Sequence, residues 1–226
     1  MAEPITCITI RTMHTITTPS GEVSVAVDGG DSSGGTIVLA HGAGAGMNHE
    51  FMQEFARGLA ELDLTVFRFN FLYTEQSRKA PDRQPLLEET YRSVVEALRP
   101  EAVAPLVLGG KSMGGRIASH IAAGGTACDG LVFLGYPLHP PGRPDRIRDA
   151  HLADVGVPML FVEGTRDPFC PLDTLEEVRG RLGPSDLVVI DDGDHSFKVR
   201  KSSGRSTREA LLDAINAVAT WVSKLS

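Results

Sequence analysis

At 226 residues the chain is long enough for a single α/β domain with a substantial core, and its 42% apolar content and mean hydropathy of −0.04 are those of a soluble globular protein. A net charge of −7 and a pI near 5.5 argue against a nucleic-acid-binding domain, which is ordinarily basic. No apolar run approaches the roughly 18 residues that span a bilayer, and Met1 to Thr6 lacks a basic segment leading into an apolar stretch, so the expected setting is the cytoplasm.

Residues 5–18 and 22–27 read as two antiparallel strands joined at Pro19-Ser20-Gly21. Thr36 to Ala40 is an apolar strand that runs into His41-Gly42-Ala43-Gly44-Ala45-Gly46. A helix over 50–60 is predicted from apolar residues at helical spacing, with acids near its start that suit the helix dipole. Leu64 to Phe69 is the next strand. A loop then runs to Pro85, and Leu86 to Leu98 forms a helix that Pro100 stops. A strand through Pro105-Leu106-Val107-Leu108 leads to Gly109-Gly110-Lys111-Ser112-Met113-Gly114-Gly115, followed by a helix over 116–123 that Gly124-Gly125 ends.

Leu131 to Leu134 is a further strand, and 157–162 and 187–190 are two more. The last helix shows its face most clearly, with Ala210, Leu211, Ala214, Ile215, Val218, Trp221 and Val222 on one side. Alternating strands and helices imply a mostly parallel sheet covered on both faces. Only about twenty residues separate the strand ending near Gly135 from that starting at Val157. This is too few for an inserted lid, so an open site is expected.

Three polar residues follow strands in the order serine, aspartate, histidine. Ser112 lies between glycines two positions to either side, in the strand–turn–helix context that projects a serine hydroxyl above a sheet. Asp167 follows the strand at 157–162, and His195 follows the strand at 187–190, so all three fall on the edge where open α/β sheets collect ligands. An isolated serine is inert at neutral pH. His195 would take its proton, and Asp167 would hold the imidazole tautomer and stabilise the imidazolium. Asp191, Asp192 and Asp194 compete only for orienting His195, and Glu163 is a weaker rival to Asp167.

The backbone N–H groups of Met113 and Ala43 are the expected oxyanion donors, each worth about 3–4 kcal/mol in such sites. The lesser alternative for the Gly-rich loop is a tight turn into a helix and nothing more. Substrate contacts are expected at Gly44, Tyr73, Arg78 and His139. Arg78, Lys79 and Arg83 offer charge for a carboxylate or phosphate, although a charged surface loop is commonly just solvated. His41 either orients the glycine loop or is structural. His151 reads as exposed and idle, and His14 and His120 carry no signal.

With this order of motifs the chain resembles the α/β-hydrolase superfamily over positions 36–197, and within it the small lidless members grouped with dienelactone hydrolases. The stretches at His41 to Gly46, Phe69-Asn70-Phe71 with Arg78 to Asp82, and Gly110 to Arg116 are most similar to the branch of testis-expressed protein 30 and NSL-complex subunit 3. Dienelactone hydrolases carry a cysteine where this chain has Ser112. The resemblance implies a serine hydrolase acting on an ester or thioester, with no cofactor.

Two other function classes compete with this reading. Gly110-Lys111-Ser112 matches the end of a phosphate-binding loop, but Pro105 stands where that motif begins with glycine. A non-catalytic scaffold on the same fold is the main alternative. His41, His49 and Glu50 lack metal-ligand spacing, and no metal is expected. Cys7, Cys128 and Cys170 are unpaired by spacing and suit a reducing compartment, most simply as buried small hydrophobes. Nothing in the sequence fixes the oligomeric state.

Overall fold

The computed structural model describes residues 11–29 and 34–225. Its strands are β1 (Arg11–Thr18), β2 (Gly21–Asp28), β3 (Thr36–Ala40), β4 (Thr65–Phe69), β5 (Leu106–Lys111), β6 (Gly130–Leu134), β7 (Met159–Gly164) and β8 (Ser185–Ile190). The α-helices are α1 (Glu50–Ala60), α2 (Leu72–Glu75), α3 (Gln84–Leu98), α4 (Met113–Ala123), α5 (Leu172–Arg179) and α6 (Thr207–Val222). The part of the predicted first strand before residue 11, and Cys7, lie outside the described residues.

The strands form one sheet in the order β1-β2-β4-β3-β5-β6-β7-β8. The β1–β2 and β2–β4 pairings are antiparallel and the remaining ones are parallel. Such a sheet has to be covered on both faces, because its central strands are apolar on both. In β3, Val38 and Ala40 pack with α3 and α4, whereas Ile37 and Leu39 pack with α1 and α6, which is the two-residue alternation of a strand. The apolar face of α6 is buried at all seven positions read from the sequence, and a capping box at Ser206 and Glu209 fixes its start.

Two predicted boundaries move. The stretch after β4 was expected to be loop as far as Pro85, but Leu72–Glu75 forms a helical turn and α3 begins at Gln84. Pro85 sits in the first turn of α3, where its missing N–H costs nothing, so it opens that helix. Helix α4 begins at Met113 and not at Arg116, directly after Ser112. Between β6 and β7 the chain forms only a short 3₁₀ turn at Ala150–Asp154, with no inserted domain over the strand ends. No helix among the described residues is long and apolar enough to cross a membrane.

Candidate active site

Ser112 links the end of β5 to the start of α4 with φ 52° and ψ −114°, a conformation that costs a non-glycine residue energy and is held only by its surroundings. Those surroundings are tight. A Cβ on Gly114 would lie 2.2 Å from the Ala40 carbonyl oxygen, and one on Gly110 would lie 2.4 Å from that oxygen and 2.8 Å from the Gly114 carbonyl carbon. The two glycines therefore let the first turn of α4 pack directly against the ends of β3 and β5.

From this corner the hydroxyl of Ser112 donates to His195 Nε2 at 2.9 Å, and His195 Nδ1–H donates to Asp167 Oδ2 at 2.6 Å. That proton placement follows from the hydrogen-bond network. Asp167 is buried, and its other oxygen accepts the Phe169 N–H at 2.8 Å, which fixes the carboxylate plane. The Phe169 ring stands edge-on to His195 with centroids 4.7 Å apart. Ser112 and His195 are half-buried, and Ser112 opens to a cavity of about 280 Å³, whose walls include Ala43, Met113, His139 and Phe169.

The rival acids are engaged elsewhere. Asp194 accepts the N–H groups of Ser196 and Lys198 at 2.8 and 3.0 Å, shaping the loop that carries His195. Asp192 pairs with Arg200 and Arg166, and Asp191 is exposed. Glu163 is fully buried and accepts the Tyr136 N–H at 2.5 Å. Burial, then the nearby Asp167 charge, pushes its carboxyl well above the usual range. Lys111 is also buried, and its Nζ has no hydrogen-bond partner among the described residues. Burial pulls its pKa down to about 8 against the opposing pull of Asp167, then Glu163 and Asp194. It still carries most of a positive charge at pH 7, close to Asp167. A Cβ on Gly135 would crowd the His195 carbonyl oxygen and Lys111 Nζ, both at 3.0 Å, and His195 Nδ1 at 3.2 Å.

The glycine loop is held from below by the Phe69-Asn70-Phe71 segment. Asn70 Oδ1 accepts the Met47 N–H at 2.8 Å, and Arg68, buried against Asp28 at 2.6 Å, donates to the Met47 carbonyl at 2.5 Å. His41 is buried with Nε2 accepting the Phe71 N–H at 3.2 Å, so its Nδ1–H donates to the Gly42 carbonyl at 2.8 Å. Burial lowers its pKa to about 4, which keeps the ring in the neutral form that this pair of bonds requires. The N–H of Met113 heads α4, where no intrahelical acceptor exists, and the N–H of Ala43 has no acceptor among the described residues.

Three of the expected substrate contacts, Gly44, Tyr73 and Arg78, do not line this cavity. Tyr73 is 1% exposed, and its hydroxyl bonds the Gly42 carbonyl at 3.4 Å, so it braces the glycine loop from the core. Arg78 is tied to Asp82 at 2.5 Å and is not among the residues lining the cavity; nor is Gly44. His139 does line it, although 5% exposed, with Nδ1 3.0 Å from the Pro140 carbonyl. His151 is not idle, and His120, which carries no signal in the sequence, is its partner. They stack at 3.5 Å, and burial, then the charged or ring neighbour, keeps both largely neutral, His151 down to about 3. Cys128 and Cys170 are free thiols, half-buried and buried, which burial pushes up in pKa. No three His, Cys, Asp or Glu side chains among the described residues are grouped to hold a metal ion.

Residues 33–223 match the family model described as an alpha/beta hydrolase domain. The chain belongs to the α/β-hydrolase family. Among solved structures, an alpha-beta serine hydrolase homologue from Coxiella burnetii shares 20% identity at a TM-score of 0.74, covering 94% of this chain and 98% of that one. A lidless serine hydrolase from Xanthomonas campestris shares 25% identity at a TM-score of 0.70, covering 93% and 94%. A dienelactone hydrolase from Anabaena variabilis shares 20% identity at a TM-score of 0.71, covering 94% of both chains.

Two consequences of this packing are measurable. Gly114→Ala forces a methyl into the β3 backbone and should cost at least about 2 kcal/mol, read as a lower urea midpoint. The His41 ring binds its proton at about pH 4 in the folded protein and near 6.5 when unfolded, so the unfolded chain takes up a proton that the folded one excludes. Stability should therefore fall as pH drops from 6.5 to 4, by roughly 3 kcal/mol from this residue. His41→Gln should flatten the decline of melting temperature over that interval, and parallel profiles would contradict the assignment.

Proposed function

We propose that this protein is a serine hydrolase that cleaves an ester or thioester of a small or extended soluble substrate through an acyl-enzyme. The observation that carries the reading is the unbroken relay from Ser112 through His195 to Asp167, on a serine whose backbone is strained into the open cavity. In the acylation step Ser112 Oγ attacks the substrate carbonyl carbon as its proton passes to His195 Nε2. The carbonyl oxygen becomes an oxyanion, met by the N–H groups of Met113 and Ala43. When the tetrahedral intermediate collapses, the bond to the alcohol or thiol breaks and His195 gives that group its proton. A water, deprotonated by the same nitrogen, then attacks the acyl carbon and regenerates Ser112 while the acid departs.

Asp167 keeps its charge throughout. It holds the Nδ1–H tautomer that leaves Nε2 free to accept, and it offsets the imidazolium that forms. The Asp167 charge in turn opposes the loss of charge that burial imposes on Lys111, because an opposite charge nearby stabilises the charged form. The absence of an inserted domain between β6 and β7 favours a soluble or extended substrate over a long acyl chain that needs an enclosed apolar tunnel. A serine nucleophile and the motifs at residues 41–46, 69–71 and 110–116 support placement near the branch of testis-expressed protein 30, acting in the cytoplasm without a cofactor.

Hydrolysis of p-nitrophenyl acetate tests the reading. Ser112→Ala should abolish turnover with the melting temperature retained, and Asp167→Asn should lower kcat on the order of 10³–10⁴-fold by supplying the wrong tautomer. Asp194→Asn should change kcat by less than tenfold. Turnover that survives Ser112→Ala, or a larger loss at Asp194 than at Asp167, would contradict it.

A further inference from the structure

The cavity beside Ser112 is also walled by two arginines, Arg116 and Arg148, which the relay does not use. Arg116 lies one turn into α4 from Ser112, so its Cα is about 6 Å further along the helix axis. Its Nη1 donates to Gln84 Oε1 and to His120 Nε2, both at 3.1 Å. Both acceptors are uncharged, since His120 is held neutral, and His120 is itself fixed by its stack on His151, whose Nε2 lies 2.7 Å from Ser119 Oγ. Arg116 is therefore aimed without being neutralised.

Arg148 comes from the β6–β7 crossover, where its N–H donates to the Leu138 carbonyl at 2.7 Å and its carbonyl lies 3.4 Å from the Tyr136 hydroxyl. Neither guanidinium forms an ion pair with a carboxylate among the described residues. The acids nearby are otherwise engaged. Glu88, whose charge acts on Arg116 less strongly than that of Arg148, takes Gln84 Nε2 at 2.8 Å and lies 4.0 Å from His120 Nδ1, and Asp82, on the cavity wall, takes Arg78 at 2.5 Å and the Tyr73 N–H at 3.0 Å. Two like charges facing one cavity repel each other, and burial followed by the Arg148 charge lowers the Arg116 pKa. An anion between them would relieve that repulsion, and guanidinium forks match carboxylate and phosphate oxygens.

We infer that Arg116 and Arg148 form an anion-binding subsite beside Ser112, so that the substrate is an ester or thioester carrying a carboxylate or phosphate group within a few bonds of the scissile carbonyl. The inference deepens the hydrolase reading and rests on it. It also relocates the anion contact that the sequence suggested for Arg78, which is already satisfied by Asp82.

The test uses matched esters at low ionic strength: mono-p-nitrophenyl adipate against its methyl ester, and p-nitrophenyl 5-phosphonopentanoate against its dimethyl phosphonate. The wild-type protein should prefer the anionic member at least tenfold in kcat/KM, and the pair with the larger preference identifies the anion as carboxylate or phosphate. Arg116→Gln and Arg148→Gln should each cut that preference at least fivefold, and Arg148→Glu should reverse it. Arg148 is exposed, so its variants report even where Arg116→Gln does not fold. Equal rates on the neutral and anionic esters, or a preference that survives Arg148→Glu, would overturn the subsite while leaving the hydrolase reading intact. Should no ester be cleaved at all, the hydrolase reading fails, and a chemical-shift titration with adipate still decides the subsite. Shifts lining the cavity that vanish in Arg148→Glu support it, and their absence in the wild-type protein overturns it.

Discussion

The contact between Gly114 and the Ala40 carbonyl governs the geometry of the candidate site. With no side chain in the way, the first turn of α4 closes onto the ends of β3 and β5, and Ser112, caught in the bend, takes a positive φ it would not adopt alone. That closure aims the hydroxyl at His195. It also brings the N–H of Met113 and the glycine loop after β3 to the same side of the serine, and it sets Arg116 one turn further on. A site assembled from strand ends in this way inherits its rigidity from the sheet, since β5, β7 and β8 each deliver one member of the relay at the same edge.

Beneath that edge lies a layer of buried polar groups whose protonation is set by burial. His41 stays neutral so that it can accept from Phe71 and donate to Gly42, which holds the loop bearing Ala43. Glu163 and Lys111 are both buried within reach of the Asp167 charge, the acid driven toward its neutral form while the base keeps most of its charge. Such groups cost free energy to bury, and what they return here is orientation of the residues above them. On the α4 side, His120 and His151 act in the same manner for Arg116: uncharged rings fix a charged side chain without neutralising it.

Much of the fold is legible in the sequence, because strands buried on both faces and an amphipathic α6 leave strong apolar patterns. The strand boundaries shift by at most three residues, the largest at β5, which runs on to Lys111, and the errors cluster where a local signal cuts both ways. Pro85 reads as the last residue of a loop yet sits in the first turn of α3, and a four-residue α2 is too short to show a period. The juxtaposition of Ser112, Asp167 and His195 can be expected from sequence because each follows a strand of one parallel sheet. The placement of Tyr73 and Arg78 cannot, since it depends on whether an aromatic ring turns into the core and whether a nearby acid captures the guanidinium. Arg148 leaves no trace either: it lies in an aperiodic crossover and reaches the cavity only through the path that the Tyr136 and Leu138 contacts impose.

The central claim is that the bend at Ser112 and the relay behind it make an activated nucleophile, and covalent labelling reads this directly. Intact mass of the wild-type protein and of Ser112→Ala is measured after exposure to a fluorophosphonate, which modifies serines only when their proton is readily withdrawn. The account predicts a single adduct on the wild-type chain and none on the variant. A folded wild-type protein that stays unlabelled, or a variant that labels equally, would contradict it and leave the fold as a binding scaffold.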